Sequence, residues 1–303
     1  MAKNMYQKRE ERKNKPEKVV DTNKTNINWY PGHMAKTKRE IKEILKTIDI
    51  VIEIVDARIP LSSHIKDIDE FIKDRKMILV LNKYDLCDKN KTSEFIKYYE
   101  SNGYKVITCD SKNSDDYKKI IKYCEELMIK VNKKRKEKGL LPKKAKTLII
   151  GVPNVGKSTL INRIANKRIA SVGNKPGVTK NLSTIRINDK IDLVDSPGIL
   201  WPKIDSEEVA LNLGSMGIIK EEILPMDKIA IHILKKLSQN YKELLFKELG
   251  ISNFDIDEIE AIYEQISKYK SIKFLDGEVD YDRVSTFILN LIKSEKIKNI
   301  TFD

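Results

Sequence analysis

The chain has 303 residues, of which 40% are hydrophobic and 34% are charged, so it can build one large core and a second, smaller domain. No apolar stretch approaches the ~20 residues that cross a bilayer, and the N-terminus lacks the apolar region of a secretory signal. We therefore predict a cytoplasmic protein with no membrane partner. Its three cysteines, Cys87, Cys109 and Cys124, are predicted to be reduced thiols that bind no zinc.

The net charge of +13 is concentrated in two segments. Residues 1–28 hold eight basic and four acidic residues, and residues 130–146 hold nine basic residues and one acidic residue. Such segments cannot build a core, and they are typical of disordered tails and solvated arms. They either form a solubilising surface or bind polyanions by neutralising phosphates. Charge alone does not separate RNA, DNA and anionic lipid.

Four nearly continuous apolar runs predict strands that are buried on both faces. They lie at 49–55, 77–81, 105–109 and 147–151. A hairpin is predicted over 183–195, with its turn at Asn188-Asp189. Because helical patterns alternate with most of these strands, we predict an α/β fold with a doubly wound, mainly parallel, six-stranded sheet.

Helical patterns dominate after Pro202. They predict helices at 206–220, 228–249, 255–268 and 281–297. We therefore predict a main domain over 29–205 and a helical C-terminal domain over 206–303. The helical domain holds 13 basic and 18 acidic residues, so any basic face must be local, with Lys235, Lys236 and Lys242 as candidates.

A phosphate-binding loop is predicted where the strand 147–151 ends. The pattern Gly151-x4-Gly156-Lys157-Ser158 stands between that strand and a helical segment, and glycine lets the backbone N–H groups face phosphates at a helix N-terminus. Lys157 should contact the β- and γ-phosphates, and Ser158 should bind Mg²⁺. The other predicted contacts are Pro153, Asn154, Val155, Gly156 and Thr159. This loop predicts a nucleotide without saying which one.

Two further elements follow the phosphate loop at suitable distances. Asp195 ends an apolar strand in "DSPG", where a carboxylate can hold Mg²⁺ through water and the N–H of Gly198 can bond the γ-phosphate. Thr179, in "KPGVTKN", can complete the Mg²⁺ shell when a γ-phosphate is present. Each signal is weak alone, and together they favour a nucleoside triphosphatase.

The tetrapeptide Asn82-Lys83-Tyr84-Asp85 points to guanine. A carboxylate at Asp85 can accept hydrogen bonds from guanine N1–H and N2–H₂, a pattern that adenine lacks. Lys83 can lie over the base, and Asn82 can brace the phosphate loop. Ser111 and Lys112, in "DSKN", follow the next strand, where a second guanine-binding loop would stand. An ATPase with a chance match to Asn-Lys-x-Asp is the alternative.

The order of these elements is unusual, because the guanine element precedes the phosphate loop by 69 positions. Most GTPases have the phosphate loop first. A binding site is a spatial arrangement, so its parts can occur in any chain order if the sheet is unchanged. We therefore predict a single site in a circularly permuted chain, with residues 130–146 as the connection between the two halves.

The chain resembles the circularly permuted GTPases of the ribosome biogenesis GTPase A family. The matching stretches are "NWYPGHMAK" (28–36), "VDARIP" (55–60), "LNKYDL" (81–86), "GVPNVGKSTLIN" (151–162), "KPGVTK" (175–180) and "DSPGILWPK" (195–203). The resemblance implies a monomeric factor for assembly of the large ribosomal subunit. Such a factor binds rRNA and ribosomal proteins of precursor particles in the GTP state and is released after hydrolysis.

Catalysis needs an aligned water and stabilised charge on the γ-phosphate. The position that holds a water-orienting Gln in Ras-type enzymes is Ile199 here, so another group must orient the water, or hydrolysis is slow until a partner helps. The resemblance implies ribosomal particles as that partner. The resemblance implies His33 as a catalytic residue beside Lys157, Thr179 and Gly198, and Asn154 as support for K⁺. A nucleotide-gated RNA-binding protein with negligible hydrolysis is the alternative from another class.

Overall fold

The computed structural model describes residues 32–66, 68, 72, 75–110, 113–166, 182–198, 204, 206–219, 223–251 and 255–303. The chain divides into two compact units. The sheet unit comprises Asn28–Lys203 together with Thr301–Asp303, and the helical unit comprises Ile204–Ile300. Among the described residues, no helix is both long and apolar enough to span a membrane.

The sheet unit is built on six strands. They are β1 (Ile50–Asp56), β2 (Lys76–Asn82), β3 (Lys105–Cys109), β4 (Ala145–Ile150), β5 (Ser183–Arg186) and β6 (Ile191–Asp195). Their order is β3-β2-β1-β4-β6-β5, and every neighbouring pair is parallel except the edge pair β5 and β6. The predicted six-stranded, mainly parallel α/β sheet is confirmed, and the hairpin turn contains Asn188, whose side chain accepts from the N–H of Lys190.

The helices of the sheet unit follow the strands as the alternation predicts. They are α1 (Gly32–Ile44), α2 (Lys89–Ser101), α3 (Ser114–Glu137) and α4 (Lys157–Ile164). All seven residues of β1 are buried, because this strand lies inside the sheet with β2 on one side and β4 on the other. Apolar side chains of α1, among them Ile41, pack on Val51 of β1 and Leu148 of β4.

The basic segment 130–146 is not the extended arm that its charge predicts. Helix α3 continues to Glu137, and the following loop folds back on the helix. The side chain of Asn132 bonds both the N–H and the C=O of Lys143, at 2.8 and 3.1 Å. The predicted solvent exposure of this stretch is therefore observed, whereas its backbone is fixed by helical hydrogen bonds and these loop contacts.

Five described helices form the helical unit. They are α5 (Glu207–Ser215), α6 (Met226–Asn240), α7 (Lys242–Leu249), α8 (Ile259–Lys270) and α9 (Tyr281–Lys293). Buried side chains such as Ile233, Tyr263 and Ile288 build its core. The helical character predicted for this part of the chain is therefore correct, although the individual bounds differ.

The predicted helix 228–249 is wrong, since the structure has two helices there. Tyr241 takes φ −142° and ψ 47°, which breaks the helix, while the apolar spacing continues across the break. The predicted helix 206–220 already ends at Ser215, because Gly217 adopts φ +69° just beyond it, a common helix stop. The last helix ends at Lys293 rather than 297, and α8 runs to Lys270, not to 268.

Candidate nucleotide site

Three predicted motifs, at 82–85, 151–158 and 195–198, meet at the carboxyl ends of the strands. Asp56 ends β1 and pairs in register with Asn82 at the end of β2. On the other side, β4 runs into the phosphate loop, and Ile149 pairs with Asp195 at the end of β6. Ligands of open α/β sheets bind at the carboxyl ends of strands where the strand order changes direction, and β1 and β4 lie at that point here.

The phosphate loop needs glycine at both ends of its pattern. A Cβ on Gly151 would lie 2.4 Å from the carbonyl oxygen of Ile54, so only glycine permits the close approach of this loop to β1. Gly156 takes φ +99° at the N-cap of α4. Asn154 also has a positive φ, +60°, which is uncommon for a residue with a side chain and is typical of strained functional loops.

Asn82 joins the guanine element to the phosphate loop. Its side-chain N–H₂ donates to the carbonyl of Val155 over 2.6 Å. A Cβ placed on Gly156 would lie 2.3 Å from the same nitrogen, so the contact leaves no room for a larger residue. Two sequence elements 69 positions apart therefore belong to one site, with the base-binding loop (Asn82–Asp85) beside the phosphate loop.

Gly198 of "DSPG" also lies against the phosphate loop. A Cβ at this position would come within 2.9 Å of the backbone nitrogen and Cα of Pro153. Ser196 anchors the same turn by donating to the carbonyl of Ile149 over 2.7 Å. The "DSPG" turn is therefore packed on the phosphate loop.

Lys157 and Asp195 are oppositely charged groups that are both buried next to the phosphate loop. Their residues are 7% and 2% exposed, and the ammonium of Lys157 donates to the carbonyls of Gly151 and Val152 at 3.0 and 2.8 Å. Burial lowers the pKa of Lys157, which the charge of Asp195 only partly offsets. Burial likewise raises the pKa of Asp195, against the opposing effects of Lys157 and the N–H of Ser196.

The same residues fit Mg²⁺. Oδ1 of Asp195 is buried and has no hydrogen-bond partner in the described part of the chain, and Ser158 is half-buried in the first turn of α4. Mg²⁺ usually takes one or two protein oxygens and completes its shell with water and nucleotide phosphates. The described residues include no cluster of three or more His, Cys, Asp or Glu side chains suited to a metal, which this mode of binding does not require.

Comparisons with known proteins agree with this geometry. Residues 146–273 match the family model described as 50S ribosome-binding GTPase, and residues 68–205 match the RsgA GTPase model. Ribosome biogenesis GTPase A of Bacillus licheniformis is 39% identical over 277 residues, which cover 91% of this chain and 98% of the relative. The chain belongs to the ribosome biogenesis GTPase A family.

A second relative, ribosome biogenesis GTPase A of Priestia megaterium, is also 39% identical over 91% of this chain and 96% of its own length. The crystal structure of GNP-bound YlqF from T. maritima has a similar fold. It covers 88% of this chain and 97% of its own, with a TM-score of 0.59 and 24% identity. The predicted family and circularly permuted fold are confirmed, and this protein is a GTPase that hydrolyses GTP.

Two residues of this GTPase that sequence analysis left without a role hold the base-binding loop. Asp56 is fully buried and accepts from Arg58 Nε and Nη2 at 2.9 and 2.7 Å. It also accepts from Lys83 Nζ at 3.0 Å. Although burial alone would raise the pKa of Asp56, the charges and hydrogen bonds of these partners hold it far below its ordinary value. The signal in the sequence was a polar residue at the end of a buried strand, as at Asn82 and Asp195.

The remaining predicted site residues of this GTPase are placed only in part. Asp85 and Thr159 are half-buried in the base-binding loop and the first turn of α4. His33 stands near the start of α1, and its side chain lies outside the described residues. Ser111, Lys112, Thr179 and Ile199 also lie outside them.

Proposed function

We propose that this GTPase is an assembly factor for the large ribosomal subunit. It binds rRNA and ribosomal proteins of precursor particles in its GTP state and leaves after hydrolysis. The observation that carries the proposal is the contact between Asn82 and Val155, which joins guanine recognition to phosphate binding in one site. The match of residues 146–273 to the 50S ribosome-binding GTPase model supports the choice of subunit.

The base half of the site accounts for guanine selection. In our proposal Asp85 accepts from guanine N1–H and N2–H₂, and the stem of Lys83 lies over the ring while Asp56 holds its ammonium. Ser111 and Lys112 complete the contacts on the other side of the base. Adenine offers an acceptor at N1 and no amino group at C2, so a carboxylate at Asp85 rejects it.

The phosphate half accounts for hydrolysis. In our proposal, Lys157 and the N–H groups of the loop bind the phosphates. Ser158 and Thr179 would hold Mg²⁺ directly, and Asp195 would hold it through water. When bound, Mg²⁺ neutralises charge that develops on the phosphate oxygens. The N–H of Gly198 donates to the γ-phosphate, a contact supported by the packing of Gly198 on Pro153.

Water activation needs a residue other than the apolar Ile199. We assign this role to His33, whose imidazole can accept a proton or orient the water. Asn154 would support a K⁺ ion, which would add positive charge near the phosphates. Because these groups need a partner to align them, hydrolysis is slow in the free protein and is stimulated by ribosomal particles.

The basic segment 130–146 is a candidate rRNA contact. Its exposed lysines include Lys133, Lys134 and Lys136, none of which pairs with an acidic residue in the described part of the chain. Basic residues in the last turn of α3 also offset the helix dipole, a role that needs no RNA. That role does not account for the further lysines in the loop beyond the helix, which extend the basic surface.

Of the three lysines predicted to form a basic face on the helical unit, two remain available for this role. Lys236 pairs with Glu208 at 2.6 Å and is largely covered, whereas Lys235 and Lys242 are exposed. We propose that residues 1–28 act as a basic tail, 29–205 together with 301–303 as the GTPase domain, and 206–300 as its helical domain. We further propose a cytoplasmic monomer with no membrane partner.

Co-sedimentation with large-subunit precursor particles tests this function. The wild-type protein should pellet with the particles in a GTP analogue and remain in the supernatant in GDP. Equal pelleting in both nucleotides would contradict the proposal.

The same assay over a salt series tests the rRNA contact. The variant Lys133→Gln/Lys134→Gln/Lys136→Gln should reduce the slope of log K against log salt by roughly 0.7–0.9 for each phosphate that these lysines neutralise in the wild type. The matched control is Lys268→Gln/Lys273→Gln/Lys298→Gln, which removes three exposed lysines of the helical unit. Equal slopes in the two variants would assign the phosphate contacts to other residues.

A further inference from the structure

The base-binding loop is held in a backbone conformation that its own sequence does not favour. Lys83 takes φ +59°, in the left-handed region where a residue with a side chain is uncommon. Such a residue keeps its conformation only when its surroundings over-determine it. Its ammonium is bound by Asp56, and its carbonyl accepts from the N–H of Leu86 over 2.9 Å. The position of Asp56 therefore decides where Lys83 lies.

The residues that follow Asp56 are fixed from one side by helix α2. Thr92 Oγ1 donates to the carbonyl of Ala57 over 3.1 Å, and the phenol of Tyr99 donates to the carbonyl of Pro60 over 3.0 Å. Ser63 adds a contact within the loop, because its hydroxyl accepts from the N–H of Asp56 at 3.0 Å. Residues 57–63, here called the Asp56 loop, are thus bonded to α2 at Ala57 and Pro60.

Residues 301–303 fix the Asp56 loop from the far end of the chain. The N–H of Phe302 donates to the carbonyl of Arg58 over 2.8 Å, and the Phe302 side chain is buried. The carboxylate of Asp303 accepts from the N–H groups of Leu61 and Ser62 at 2.6 and 2.9 Å, and from the hydroxyl of Ser62.

The same segment also contacts the start of α2. Thr301 Oγ1 lies 2.9 Å from Thr92 Oγ1, and it accepts from the N–H of Asp88 at 3.2 Å. Asp88 is the N-cap of α2 and stands three positions after Asp85. Segment 301–303 therefore bonds both the Asp56 loop and the start of α2, which follow β1 and the base-binding loop. By its contacts the segment belongs to the sheet unit.

We propose that segment 301–303 positions the base-binding loop for guanine. It holds the Asp56 loop, which fixes the Asp56–Arg58 pair, and that pair holds Lys83 over the base. Phe302 and Asp303 are thus positioning residues, since they act through Arg58, Asp56 and Lys83. This inference rests on the role proposed above for Lys83.

A purely structural role for the segment would lower stability without acting through Lys83. A double-mutant cycle separates the two possibilities, because a residue that acts through Lys83 loses its effect once Lys83 is removed. Asp303→Asn keeps the size of the side chain and removes its charge, and Phe302→Ala removes the buried ring. Asp189→Asn is the control, an exposed carboxylate paired with Arg186 in the hairpin at the opposite part of the sheet.

The affinity and dissociation rate of fluorescent GDP are measured for each variant, alone and combined with Lys83→Ala. We expect Asp303→Asn to raise the dissociation constant about threefold and Phe302→Ala about tenfold in the wild-type background. When Lys83 is already replaced by Ala, each substitution should change the dissociation constant little. Asp189→Asn should leave it unchanged. Circular dichroism and the unfolding midpoint show whether each variant is folded, and if Phe302→Ala does not fold, Asp303→Asn carries the test.

Equal effects in both backgrounds, or no effect in the wild-type background, would overturn the positioning role while leaving guanine binding by Lys83 intact. If Lys83→Ala binds GDP as the wild type does, the proposed role of Lys83 itself fails, and the inference fails with it. The single Lys83→Ala measurement therefore distinguishes the two failures.

Discussion

The two halves of the nucleotide site each contain a buried aspartate and a lysine, and the two aspartates behave in opposite ways. In the base half, Asp56 is satisfied by Arg58 and Lys83, and its pKa is held far below its ordinary value. In the phosphate half, Oδ1 of Asp195 has no partner among the described residues, and burial raises its pKa while lowering that of Lys157.

This difference separates a structural ion pair at Asp56 from two buried charges, Lys157 and Asp195, to which we assign a ligand-binding role. The Asp56 pair is complete within the protein, so it holds the loop in place. Lys157 and Asp195 are desolvated and incompletely compensated, which is costly in the protein alone and would favour the binding of phosphate and Mg²⁺ that we propose. The base half is thus a fixed platform, and the phosphate half is where charge changes during the reaction.

The largest effect is expected in the base half. Asp56→Asn leaves the buried Arg58 without its countercharge and should lower the free energy of unfolding by about 3–5 kcal/mol. Chemical denaturation of the nucleotide-free protein measures it. A loss below about 1 kcal/mol would contradict the view that this pair stabilises the fold.

In the phosphate half, the corresponding substitution should affect the reaction and not the fold. Asp195→Asn removes a poorly compensated charge, so the free energy of unfolding without nucleotide should change by less than about 1 kcal/mol. GTP hydrolysis in the presence of Mg²⁺ should fall about 100-fold, because the proposed metal site would lose its carboxylate. Single-turnover hydrolysis and denaturation of the same preparation compare the two quantities. A destabilisation as large as that of Asp56→Asn would remove the distinction between the halves.

Disturbing the contact between Asn82 and the phosphate loop should have a smaller effect, which is on the affinity for GDP. Gly156→Ala would place a methyl group 2.3 Å from the side-chain nitrogen of Asn82, so GDP affinity should fall about tenfold. Gly139→Ala is the control, because Gly139 also has a positive φ, +67°, but has open space around its Cα. The combination of Gly156→Ala with Asn82→Ala should be less than additive, since the clash is already relieved. Full additivity of the two effects would contradict the contact.

The smallest effect is expected on the free energy of unfolding at acidic pH. The native pKa of Asp56 lies below its unfolded value of about 4, so its stabilisation is complete above that value and is lost as the pH falls further. The native pKa of Asp195 lies above its unfolded value, so the native state takes up the proton first, and lowering the pH across that interval stabilises the fold. As the pH is lowered from 7 to 4, the free energy of unfolding of the wild type should rise by roughly 1 kcal/mol relative to that of Asp195→Asn. A difference of the opposite sign would contradict the assignment.

Sequence patterns predicted local features of this molecule better than distant ones. The phosphate loop and the base-binding loop were recognisable because each is a short stretch at a strand end, and their union followed from placing both strands in one parallel sheet. The role of Asp56 was missed, because a single polar residue after an apolar run does not name its partners. Segment 301–303 was assigned to the helical domain, since contacts across more than 200 positions leave no local pattern in "TFD". The break at Tyr241 was missed because apolar periodicity continues through it.

The central claim is that the base-binding loop and the phosphate loop hold opposite ends of one guanine nucleotide. The direct test is Asp85→Asn, with the affinities of GDP and xanthosine diphosphate measured by titration. An amide at this position can donate to the C2 carbonyl of xanthine, so GDP binding should weaken about 10–100-fold while the xanthine nucleotide becomes the preferred ligand. A variant that still prefers GDP would contradict the account.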